Sequence, residues 1–135
     1  MKKIIVLISI CAGMLILVAC ASSASGLTGK VWALTDLNNT PLTDGVGISA
    51  QFTSDGKVSG SAGCNRYSGT YTLSGSTITF SSPMATTMMM CDESVMSQET
   101  AYLKALAEAK TYAVKGFWTL ICVSSSSRVW AKGIK

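Results

Sequence analysis

The chain has 135 residues, 48% of them hydrophobic and only 13% charged, with a formal net charge of +4 and no histidine. That length suits a single domain. A charge this small, with no basic run, excludes the electrostatic footprint of a nucleic-acid binder. The missing histidine excludes Ser-His-Asp and Cys-His catalysis.

The first residues read as targeting rather than fold. Lys2-Lys3 is a basic start, Ile4 to Leu17 is an apolar run, and Leu17-Val18-Ala19-Cys20 closes it. The run is short for a membrane span and is followed at once by small polar residues. It resembles a bacterial lipoprotein signal, which implies a signal peptide over 1–19 and lipidation of Cys20. The alternative is an ordinary secretory signal with an incidental cysteine. Cys11 does not compete, because Ile8-Ser9-Ile10 lacks a small residue before the bond. Residues 20–26, rich in Ser, Ala and Gly, are then a flexible tether. Losing Lys2 and Lys3 takes eleven basic residues to nine against seven acidic ones, a net of +2. Ala21 after the cysteine implies, by likeness to sorted lipoproteins, the outer membrane facing the periplasm of a two-membrane cell. The membrane is the one partner this gives, and a monomer is expected.

The domain is expected over 27–135. Lys30 to Thr35 alternates, with Trp32 and Leu34 on one side, and predicts a first strand. Asn38-Asn39-Thr40-Pro41 and Asp44-Gly45 are turn chemistry. Ile48, Ala50 and Phe52 line one face of a second strand, and Ser54 to Lys57 turns it into Val58 to Ser61. Gly63-Cys64-Asn65 interrupts the alternation as a kink or bulge. Tyr67, Gly69, Tyr71 and Leu73 then share a face, and Ser74-Gly75-Ser76 turns into Thr77 to Phe80. Val95, Met96, Glu99, Tyr102, Leu103 and Leu106 fall at helical spacing. Asp92, Glu93 and Glu99 toward the start, with Lys104 and Lys110 toward the end, suit the helix dipole. Strands at Thr111 to Lys115, Trp118 to Val123 and Arg128 to Lys132 complete the chain. The pattern predicts a mainly β, α+β fold. About eight antiparallel strands form a small barrel or strongly bent sheet, with one helix inserted before the last three strands and plugging one end.

With Cys11 and Cys20 set aside, three cysteines allow three pairings. Cys64 and Cys91 could form a disulfide, a metal pair or a redox couple. The disulfide is expected, because a small exported domain gains from it. Metal binding needs more ligands than the sequence offers, so no metal and no cofactor are expected. Cys122, in register with Leu120, is expected as a buried thiol. Met84, Met88, Met89, Met90 and Met96 could be soft Cu(I) ligands. The preferred reading has methionines filling gaps where helix meets sheet, with Met89 and Met96 packed and Met88 exposed. Glu99, on the apolar side of the helix, is expected to accept hydrogen bonds from the Gly63-to-Arg66 segment or from Arg66 itself.

The segments Gly29-x-x-Trp32-x-Leu34 and Gly60-x-x-Gly63-Cys64-Asn65-x-Tyr67-x-Gly69-x-Tyr71 are similar to the META domain family, which includes HslJ-like heat-inducible lipoproteins. Thr87-x-Met89-x-Cys91 and Glu99-x-x-Tyr102-Leu103-x-x-Leu106 extend the likeness along the whole mature chain. Family members commonly carry arginine where this chain has Met88. The resemblance implies a β-rich envelope domain linked to stress or drug tolerance, with no catalytic reaction. The function expected is therefore a non-enzymatic, lipid-anchored binding or shielding domain. The rival is a small barrel that carries apolar molecules.

Overall fold

The computed structural model describes residues 26–116 and 119–134, and its strands follow the alternation of the sequence. They are β1 (Val31–Leu37), β2 (Thr40–Pro41), β3 (Ser49–Phe52), β4 (Lys57–Ser61) and β5 (Arg66–Ser74). After β6 (Thr77–Phe80) and β7 (Ala85–Thr86) comes the helix α1 (Glu93–Glu108), then β8 (Thr111–Lys115), β9 (Thr119–Val123) and β10 (Arg128–Ile134). The two-residue strands β2 and β7 fall where the sequence indicates turn or no element, since so short a stretch carries no period. The expected signal 1–19, Cys20 and nearly all of the tether lie outside the described residues, as does Trp118.

Eight strands close into an antiparallel barrel. They run β10-β9-β8-β6-β5-β4-β3-β1, and β1 pairs back with β10 from Val31 opposite Ile134 to Leu37 opposite Val129. β2 lies outside β1, and β7 lies on β5. Closure leaves the ring without a free edge, and the added strands β2 and β7 carry edges of their own.

The Gly63-Cys64-Asn65 interruption is a full chain reversal rather than a bulge. Ser61 pairs with Arg66 across β4 and β5, and the Ala62 N–H donates to the Asn65 carbonyl at 2.7 Å. Gly63 has φ +122°, and a side chain there would press on Val46. Glycine meets both demands.

The helix crosses one mouth of the barrel. Val95 lies by Gly63 and Glu99 bonds Asn65, both in the β4–β5 turn. Nine residues after Glu99, Glu108 accepts a bond from the Ser126 hydroxyl in the β9–β10 turn, half the ring away. Glu99, Tyr102, Ala105 and Leu106 face the interior. The expected charge pattern is realised at the start, where Glu93 lies in the first turn, and not at the end. Asp92 makes no side-chain cap bond, and the last turn holds no basic residue. Lys104 sits a turn too early and pairs with Glu108 at 4.0 Å, while Lys110 lies beyond the buried Ala109 that ends the helix. Burial of the inner face holds this helix, as it does most helices in proteins.

The opposite mouth is closed by the chain's own approach to β1. Leu27 is fully buried, and its carbonyl accepts the Trp32 indole N–H at 2.8 Å. Between the two ends Trp32, Phe52, Tyr71, Phe80, Ile48 and Ile78 fill the interior. Phe52 meets Tyr71 edge-on at 5.1 Å.

Candidate functional site

The β4–β5 turn, the stretch from Thr87 to Cys91 and the inner face of α1 converge on Asn65, which is 3% exposed. Its side-chain amide donates to Glu99 Oε1 at 2.7 Å and to the Met89 carbonyl at 3.2 Å. Its Oδ1 accepts from the Met89 N–H at 2.7 Å and the Thr87 hydroxyl at 2.8 Å. Both amide protons and both oxygen lone pairs are therefore used. Asn65 acts as a strand partner made of side chain: it gives Met89 the pair of bonds that a neighbouring backbone would give.

Glu99, 6% exposed, completes the clamp from the helix. Its Oε2 accepts the Asn65 backbone N–H at 2.6 Å. The donors come from the turn, as expected, but both belong to Asn65. The Arg66 side chain contributes none, and its backbone N–H goes to the Thr87 hydroxyl at 3.1 Å. Cys64 and Cys91 are bridged, with Cα atoms 6.0 Å apart, so covalent and polar ties join the same two segments.

The tyrosines and Gly69 belong to the support of this clamp. The Tyr67 hydroxyl donates to the Ser49 carbonyl at 3.1 Å and meets the Tyr102 hydroxyl at 2.8 Å. Tyr102 is then the donor of the second bond, which ties helix to barrel. Burial pushes both hydroxyls well above the ordinary tyrosine range. The Tyr71 hydroxyl donates to the Thr53 carbonyl at 2.8 Å. At Gly69 a Cβ would stand 2.7 Å from the Ser81 hydroxyl, which accepts the Thr70 N–H at 2.9 Å.

Met89 departs from expectation. It is 58% exposed, and its backbone is what the clamp holds. Met88 and Met90 are 97% and 92% exposed. The methionine run is a displayed segment, not a gap filler, and only Met84 and Met96 are partly buried. Thr87 was not singled out by chemistry. The alternate spacing of Thr87, Met89 and Cys91 is the signal for it, since period two puts all three on the side facing Asn65.

The chemistry available is that of holding. Glu99 is occupied by two donors, and burial pushes the Cys122 thiol up to about 12, which keeps it protonated and unreactive. Among the described residues no group of three or more Cys, Asp or Glu gathers as a metal site would require.

No curated protein matches the sequence. Three solved structures share the fold. A protein from Burkholderia xenovorans, solved by NMR, is 23% identical over 81% of this chain and 84% of its own, with a TM-score of 0.66. A second protein solved by NMR is 24% identical over 80% of this chain and 92% of its own, also at 0.66. A crystallised DUF4847 family protein from Bacteroides vulgatus ATCC 8482 is 16% identical over 78% and 93%, at 0.57. The META domain pattern matches residues 25–132, which span the barrel, the clamp and the helix, and the chain belongs to the META domain family.

Proposed function

We propose that this META domain is a non-enzymatic, lipid-anchored domain of the cell envelope that binds or shields an envelope component with its outer surface and so contributes to stress or drug tolerance. The observation that carries the surface reading is the filled interior. Trp32, Phe52, Tyr67, Tyr71, Phe80 and Leu120 are each no more than 6% exposed and occupy the space a carried molecule would need. Small barrels packed in this way have side chains for contents. Attachment is assigned to Cys20 on the likeness of residues 1–20 to a lipoprotein signal. Two or more acyl chains hold a protein stably at a bilayer where one does not. The first described residue, Gly26, lies against Val114 by the mouth that Leu27 closes. In this reading the chain leading from Cys20 enters the domain at that mouth.

The test is lipid labelling and fractionation of the full chain beside Cys20→Ser. The native chain should take up labelled palmitate and sediment with membranes. Cys20→Ser should lose the label, be released or left unprocessed, and lose any stress tolerance the native chain gives. Equal fractionation of the two, with no change in label, would remove the anchor from this reading.

A further inference from the structure

The stretch from Ala85 to Met90 lies along β5 with one side only. Ala85 and Thr86 pair with Ser68 and Tyr67. The Thr87 N–H donates to the Arg66 carbonyl at 3.0 Å, and Met89 is held through both its N–H and its carbonyl by Asn65. In an extended strand successive residues direct their backbone bonds to opposite sides. If Thr87 and Met89 face β5, then Thr86, Met88 and Met90 turn their N–H and carbonyl groups outward. The same three side chains share one face, and Met88 and Met90 there are 97% and 92% exposed. Every residue from Ala85 to Cys91 is exposed, so no described element covers this edge.

Exposed edges are ordinarily blunted by lysine, proline, a bulge or a covering loop. From Ala85 to Cys91 the sequence has no charge and no proline. The edge is also rigid, because the Asn65 clamp and the Cys64–Cys91 bridge fix its far end. A preordered strand loses little freedom when it pairs.

We propose that residues 86–90 are a self-pairing edge through which two copies of this chain join as antiparallel strands about a two-fold axis at Met88. The outward residues are spaced symmetrically around Met88. In that register Met88 faces its own copy, and Thr86 faces Met90 in both directions. Each of these pairs exchanges both backbone bonds, as outward-facing residues of an antiparallel pair do. An isologous contact needs a self-complementary patch, and an uncharged edge presents no like charges to its copy. The methionine side chains meet on one face, where their flexibility lets them pack. The contact replaces the expected monomer with a pair, and it depends on the edge rather than on the lipid.

The test places a photo-reactive diazirine amino acid at position 88 of the full chain in producing cells. Irradiation should give a product of twice the chain mass, with the new link inside residues 86–90 of both copies. Adding Met90→Pro deletes an outward N–H and leaves the clamp bonds in place, so the product should be lost while the Cys64–Cys91 bridge still maps. Met90→Leu keeps the backbone donor and should keep the product. The proposal is overturned by the absence of a double-mass product, by links outside 86–90, by a link to a different protein, or by a product that survives Met90→Pro.

Discussion

The barrel closes its two mouths by different physics. At one, Leu27 and Trp32 exclude water with apolar bulk and a single hydrogen bond. At the other, Asn65 and Glu99 are buried in a network of directed bonds reinforced by a disulfide. Apolar packing tolerates exchange of shape for shape at moderate cost. A satisfied polar network does not, because losing one member strands the others without water. The polar mouth is therefore the one where geometry is specified, and it is also where the chain displays an ordered outer strand.

Asn65→Ala should have the largest effect. It removes four side-chain bonds and leaves Glu99 Oε1 and the Met89 backbone unpaired, at a cost of roughly 3–5 kcal/mol. Leu27→Ala should cost about 2–4 kcal/mol through a cavity at the other mouth. Hydrogen exchange separates the two mechanisms. Asn65→Ala should lose protection at the Met89 amide, and Leu27→Ala should leave it intact at matched stability. Equal protection in both variants would show that the two mouths do not differ as described.

Breaking the Cys64–Cys91 bridge comes next. Its sequence separation of 27 corresponds to about 3.5 kcal/mol on the chain-entropy account. The double change to serine should lower the urea midpoint accordingly while keeping the Asn65 bonds. An unchanged midpoint would mean that the polar clamp alone sets this mouth.

The smallest effect is alkaline. Burial raises the Cys122 thiol from 9.0 to about 12 and also raises Tyr67 and Tyr102. The folded state therefore keeps protons that the unfolded chain gives up. The contribution is full below the unfolded values and is lost as pH climbs toward the folded ones, at about 1.4 kcal/mol per pH unit for each group. Between pH 9 and 10 the thiol of the unfolded chain ionises before its tyrosines while the folded thiol stays protonated, so Cys122→Ala should flatten the stability curve there. An unaltered slope would place that thiol in contact with solvent.

Much of the barrel was legible because its signals are local. Trp32 and Leu34, then Ile48, Ala50 and Phe52, and Ile78 with Phe80 alternate as half-buried strands do, and all are buried. Glu99, Tyr102 and Leu106 kept helical spacing and share the inner face. The display of Met88 to Met90 was less legible. The strand there is held by an amide side chain and a hydroxyl, so it needs no apolar face and leaves no apolar alternation to read, only the spacing of Thr87, Met89 and Cys91. Met89 looked like packing material because hydrophobic residues usually are, whereas its position is fixed by its peptide groups. The β4–β5 reversal was partly concealed as well, since Gly-Cys-Asn suits a bulge and a tight turn equally until the pairing partners of Ser61 and Arg66 are known.

The pairing of β1 with β10 has a kinetic consequence. Val31 waits for Ile134, and Leu37 for Val129, so ring closure joins segments about a hundred residues apart. Chains dominated by such distant contacts fold on the order of milliseconds to seconds, far slower than helical bundles of similar size. Until β10 arrives, β1 and β9 each expose a bare edge, and the nascent chain is most open to wrong pairings during that interval. The last seven-residue strand is thus the latch of the fold, and its arrival sets the pace at which the whole domain becomes safe from its own neighbours.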